Sequence, residues 1–117
     1  MIAPTMESLR NRLRAFVAER DWDQFHAPKS LAMSVTIEAA ELAEHFQWLQ
    51  TGAPEELAPG QTVKIGEEMA DVLLYLIRLA DKLDIDLLAA ADRKLDLNAI
   101  KYPVEKARGR STKYTEL

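Results

Sequence analysis

The stretch Ile65-Gly-Glu-Glu-Met-Ala-Asp-Val-Leu-Leu-Tyr-Leu-Ile-Arg-Leu-Ala-Asp-Lys-Leu83 decides the fold. Ile65, Val72, Leu76, Leu79 and Leu83 recur at helical spacing. Met69, Leu73, Ile77 and Ala80 carry the apolar surface further round the cylinder. A helix apolar on more than one side needs cover from several directions. In a chain of 117 residues part of that cover must come from another protomer, so the pattern predicts an obligate homo-oligomer. Its polar positions are equally telling. Glu68, Asp71, Tyr75 and Arg78 fall in one strip beside the apolar stripe, because residues three and four apart share a helix face.

Working outward, the same arrangement appears upstream. Leu31, Val35, Leu42, Phe46 and Leu49 form a helical stripe, and Glu38, Glu41, His45 and Trp48 lie in a strip beside it. Pro28 opens this helix, since the residue before a proline avoids the helical region. Between the two helices, Thr51-Gly-Ala-Pro-Glu-Glu-Leu-Ala-Pro-Gly60 is a loop. A first helix carries Leu9, Leu13, Phe16 and Val17, with Thr5 or Ser8 as its cap, and a fourth begins at Asp84 or Asp86 and stops before Pro103. No segment alternates as a strand. The expectation is an all-α, four-helix bundle and a single domain over 1–117. Its helices lie at about 5–20, 29–49, 62–83 and 86–101, followed by an extended, partly mobile tail over 103–117.

Composition excludes several chemistries. With no cysteine there is no disulfide, thiolate metal site or cysteine nucleophile. The N-terminal residues have neither the basic nor the apolar region of a signal peptide, and no apolar run approaches a membrane span, so a cytoplasmic protein with no membrane partner is expected. Net charge is −4, yet residues 93–113 hold seven of the fifteen bases and two of the nineteen acids. A basic segment on an acidic body suits a small anion better than a nucleic-acid polymer, although a solvated charged tail accounts for it equally well.

The chemistry centres on two carboxylate pairs, Glu38/Glu41 and Glu68/Asp71, each at i,i+3 spacing. If the two helices pack antiparallel, these acids meet at one edge of the bundle and repel one another unless a cation lies between them. A single glutamate is most often a solvated surface charge. Here, however, no base follows any of the four at i+4, and each pair abuts a core stripe. An all-carboxylate set suits Mg²⁺, with Mn²⁺ as a substitute. Zinc prefers His or Cys. The two Glu-x-x-His motifs of a di-iron bundle are absent, as is a phosphate-binding glycine loop.

Trp22, Phe25 and His26 sit in a helix break, and with Trp48 they form an aromatic set. Such rings stack on nucleobases but also serve as core or as a helix staple. Lys94, Asn98 and Lys101 share one side of the fourth helix, with Tyr102 adjacent. They suit phosphate, or simply a helix end whose dipole favours cations.

These segments together resemble the MazG-like, all-α nucleotide pyrophosphohydrolases, in particular the dCTP pyrophosphatase branch. Glu38-Ala-Ala-Glu41 followed by Glu68-Met-Ala-Asp71 is similar to that family's ExxE…ExxD signature. Similar too are Glu19-Arg-Asp-Trp-Asp-Gln-Phe-His26, Glu41-Leu-Ala-Glu-His-Phe-Gln-Trp48, Lys94-Leu-Asp-Leu-Asn98 leading into Lys101-Tyr-Pro103, and Lys113-Tyr-Thr-Glu-Leu117. The resemblance implies Mg²⁺ ligation by Glu38, Glu41, Glu68 and Asp71. It also implies a base pocket from Trp22, Gln24, Phe25, His26, Trp48 and Tyr75. It implies active sites completed across a dimer, within a dimer of dimers. The implied reaction is hydrolysis of a nucleoside triphosphate between its α and β phosphates. Glu38 or Glu41 would be the base, with Lys94, Asn98, Lys101, Tyr102, Arg110 and Lys113 toward the phosphates. The family's vertebrate members carry a substrate-contacting histidine where this chain has Leu13, and Val-Gly between the first two acids where it has Ala-Ala. Two other readings stay open: a related all-α pyrophosphohydrolase activity on dUTP or phosphoribosyl-ATP, and a non-enzymatic helical oligomerisation module.

Overall fold

The computed structural model describes residues 2–117, and among them every regular element is helical. The chain forms two compact units, one running to Asp84 and the other Ile85–Leu117.

In the first unit, α1 spans Met6–Glu19. Thr5 and Ser8 cap it reciprocally: Ser8 N donates to Thr5 Oγ1 at 3.0 Å and Thr5 N donates to Ser8 Oγ at 2.8 Å. Beyond α1, Asp21 takes a left-handed φ of 54°, a conformation that cannot continue a helix. A short 3₁₀ turn, Asp23–Phe25, follows. α2 spans Pro28–Glu44, with Pro28 in its first turn and Ala27 extended before it. α3 spans Gln61–Lys82 and starts after Gly60, whose φ is 80°.

α2 ends at Glu44, short of the expected Leu49. The cause is local. Phe46 N turns back to Ala43 O at 2.9 Å, tightening the last turn. The backbone N–H groups of Gln50, Thr51, Gly52 and Ala53 then donate to the Glu56 carboxylate, at 2.7–3.1 Å, instead of to helix carbonyls. The loop folds onto the Phe46 ring, and Gly52, at φ 77°, lies against it.

α2 and α1 both pack on α3. Gln61 Nε2 donates to His45 O at 3.2 Å, joining the start of α3 to the end of α2, so the two helices run antiparallel. Val17, Leu31, Ile65, Ile77 and Ala80 are the buried apolar residues among those described. Much of the remaining apolar surface is open: Met33, Ile37 and Met69 are each more than half exposed.

In the second unit, α4 spans Leu87–Lys101, capped by Asp86 Oδ1, which accepts from Ala89 N at 3.0 Å. The tail is not extended throughout. α5 spans Val104–Ala107, and a 3₁₀ turn covers Tyr114–Glu116. Tyr114 packs edge-on to Tyr102 at 5.9 Å and lies 4.8 Å beneath Lys101 Nζ, which folds the tail onto the end of α4. No helix among the described residues is long and apolar enough to cross a membrane.

Candidate metal centre and adjoining cleft

The antiparallel seam brings α2 and α3 acids together. Glu38, Glu41 and Glu68 each offer one carboxylate oxygen, and these oxygens all lie within 4.8 Å of one another. Glu38 Oε2 and Glu68 Oε2 are buried and have no hydrogen-bond partner among the described residues. Buried oxygens without donors are costly, and anionic ones more so. The Glu38 carboxyl is therefore pushed above its ordinary range, first by burial, then by contact with Glu41 and the charges of Glu41, Asp71 and Glu68. Burial likewise raises Glu68, aided by Glu41 and Asp71 and opposed by His45, whose Nε2 stands 3.9 Å from Glu68 Oε1. Asp71 lies outside the tightest group and is exposed, but its charge reaches both Glu38 and Glu68. Glu67 is exposed and outside the group.

Asp71 also lines a cleft of about 360 Å³ between α1 and α3. Leu9, Leu13, Phe16 and Val17 give it an apolar wall from α1. Leu74, Tyr75 and Arg78 face it from α3, with Arg12 at its rim and Trp22 and His26 supplied by the break between helices. Trp22 meets Phe16 edge-to-face at 5.6 Å and remains nearly half exposed, leaving ring surface for a ligand.

The residues expected from sequence divide clearly. Glu38, Glu41 and Glu68 converge, with Asp71 beside them. Trp22, His26 and Tyr75 share the cleft. Gln24 does not line it; its Nε2 closes the turn by donating to Asp21 O at 2.9 Å. Phe25 is 63% exposed and also outside it. Trp48, expected on a helical strip with the acids, instead projects from the turn after α2 and is 88% exposed. Lys94, Asn98, Lys101, Tyr102, Arg110 and Lys113 all belong to the second unit.

Sequence reasoning missed an ionic network beside the cleft, centred on the nearly buried Arg78. Arg78, 8% exposed, donates Nη2 to Asp23 Oδ1 at 2.6 Å and Nε to His26 Nδ1 at 3.1 Å. Lys82 also reaches Asp23, and Arg14 grips Asp81 with two bonds of 2.8 and 2.5 Å. These cations hold the Asp23 and Asp81 carboxyls below their ordinary range, chiefly through the Lys82 and Arg14 hydrogen bonds respectively. The available signal was a lone arginine set between Ile77 and Leu79, the first of them buried.

The fold and site define an all-helical protein with a carboxylate centre at a helix seam and an aromatic cleft beside it. The chain belongs to the MazG-like family, whose model matches residues 33–117. It is 44% identical over 116 residues to a human protein named dCTP pyrophosphatase 1, covering 97% of this chain and 68% of that one. The cattle protein of the same name is 41% identical over 97% of this chain and 69% of its own. Among solved structures, a pyrophosphatase from Archaeoglobus fulgidus superposes with a TM-score of 0.78 at 41% identity, covering 88% of this chain and 99% of that one.

Proposed function

We propose that this protein is a Mg²⁺-dependent nucleoside triphosphate pyrophosphohydrolase acting on dCTP or related and modified deoxynucleotides, which removes them from the nucleotide pool. The observation that carries the reading is the group of three carboxylate oxygens with two orphaned buried members, in a chain related to dCTP pyrophosphatases. The donor set fits a hard divalent cation: it is all oxygen, it is anionic, and its buried oxygens lack protein donors. Mg²⁺, or Mn²⁺ in its place, would be held by Glu38, Glu41 and Glu68 with Asp71. When bound it supplies charge neutralisation for the phosphates and a more acidic water.

The chain's own residues do the rest. Water adds across the α–β anhydride, giving the nucleoside monophosphate and pyrophosphate, and Glu38 or Glu41 takes the water's proton. The apolar α1 wall, Trp22, His26 and Tyr75 receive the base. We assign Gln24, Phe25 and Trp48 supporting roles at the base, and Lys94, Asn98, Lys101, Tyr102, Arg110 and Lys113 to the phosphates. All of 1–117 works as one functional domain, in the cytoplasm with its substrate pool. The exposed Met33, Ile37, Met69 and Leu73 favour a homo-oligomer, taken as a dimer of dimers, in which those faces are covered.

The test is Glu41→Gln. The account expects a folded protein that releases no pyrophosphate from dCTP with Mg²⁺; full activity in that variant sinks the site assignment. Preference for dUTP in a substrate panel would favour the related pyrophosphatase reading, and absence of turnover with any nucleotide the non-enzymatic module.

A further inference from the structure

Arg78 lies on α3 in the cleft wall and is nearly buried. A guanidinium has five N–H donors and no acceptor, and it does not lose its proton in proteins. The ring nitrogen that meets its Nε, His26 Nδ1 at 3.1 Å, must therefore present a lone pair. That leaves the imidazole neutral with its proton on Nε2.

The surroundings hold this state. Arg78 is fixed by Asp23 at 2.6 Å and touches Asp81 at 3.5 Å. Asp81 is itself clamped by Arg14, and Asp23 by Lys82. The charges acting on His26 are those of Arg78 and Lys82 from α3 and Asp23 from its own turn, and Asp71 and Tyr75 of α3 and Arg12 of α1 share its cleft. Burial, then the charges of Arg78 and Lys82, push its pKa down, with only Asp23 opposing. His26 lines the cleft with Trp22 and Tyr75, and no protein group among the described residues accepts from its Nε2.

We propose that Arg78 is a positioning residue that locks His26 as a neutral Nε2–H donor aimed at an acceptor on the substrate's base. The assignment rests on the pyrophosphohydrolase reading for the identity of the ligand, but not for the lock itself. A donor in this cleft discriminates by chemistry. The discrimination lies at N3, which accepts in cytosine but carries a proton in uracil and thymine and meets the Nε2–H donor to donor; O2 accepts in all three bases and does not distinguish them. A base that offers a donor there leaves both groups unpaired.

The test has two arms. Long-range nitrogen–proton NMR correlations on the wild-type protein read the tautomer directly. The expected result is His26 in the Nε2–H form at neutral pH; a proton on Nδ1, or an imidazolium, overturns the lock. In the second arm, His26→Asn keeps an oxygen near the Nδ1 position for Arg78 but removes the Nε2 donor. It should melt like the wild type and raise KM for dCTP roughly three- to tenfold, about one hydrogen bond's worth, with kcat little changed. An unchanged KM overturns the contact with the base. Arg78→Met, if it folds, should return His26 to a mixture of tautomers and reproduce the KM defect. If it does not fold, the wild-type NMR and His26→Asn decide the matter. A wild-type protein that turns over no nucleotide refutes the underlying functional reading, while the NMR result still judges the lock.

Discussion

Replacing Glu38 with glutamine should stabilise the metal-free protein while destroying its function. Glu38 shares the seam with Glu41 and Glu68, their oxygens within 4.8 Å, and its Oε2 has no donor. At that separation each like-charge contact costs about 0.9 kcal/mol at the dielectric of water and about 3.5 kcal/mol at an effective value near 20. Glu38 is only partly buried, so solvent screening places it toward the lower figure. Neutralising it should relieve roughly 1–2 kcal/mol, and the new amide can donate to a neighbouring carboxylate. For a domain of this size that is a rise in Tm of roughly 4–8 °C in EDTA. Mg²⁺ should do the opposite to the pair of proteins. At a hundredfold excess over its Kd it stabilises a binding-competent wild type by about 2.7 kcal/mol. The variant should lose that gain together with pyrophosphate release. Thermal melts in EDTA and across a Mg²⁺ titration measure all of this. A variant less stable than wild type in EDTA that still responds fully to Mg²⁺ would refute the view that these acids form a repulsive, cation-seeking cluster.

Three further outcomes follow from the scaffold. Leu31→Ala, at the most buried side chain of α2, should cost about 2–5 kcal/mol in urea unfolding. Gly52→Ala should destabilise by about 1–2 kcal/mol from the left-handed backbone alone, and more because its Cβ would lie 2.8 Å from Phe46 Cδ1; unchanged stability would show that the loop does not seat on that ring. Glu56 is held at a pKa of about 2, chiefly by the Thr51 hydroxyl and then the Gln50 and Thr51 amides, so its unfolded state binds more protons in acid. Its stabilisation is complete above the ordinary value of 4.5 and fades as pH falls toward about 2, so Glu56→Gln should weaken the protein most at neutral pH and flatten stability over that acid range.

The carboxylate centre was legible because i,i+3 spacing beside an apolar stripe is a one-dimensional signal, and antiparallel packing of neighbouring helices does the rest. The end of α2 was not. Its apolar period runs on through Phe46 and Leu49, but the backbone tightens into i→i−3 turns at His45 and Phe46, and Glu56 then collects the amides of Gln50 to Ala53, which the pattern assigns to no partner. Trp48 was misplaced for that reason alone. Arg78 shared a strip with Asp71 and Tyr75 and so was visible, but its burial depends on the turn that carries Asp23 and His26, whose path no periodicity describes. In the second unit the tail lacks a period yet is held by two tyrosines and a lysine.

The reaction itself is read out by phosphorus NMR of the products formed from dCTP. We expect dCMP and pyrophosphate with Mg²⁺ and no turnover in EDTA. Release of orthophosphate and dCDP, or turnover indifferent to divalent metal, would contradict the proposed reaction.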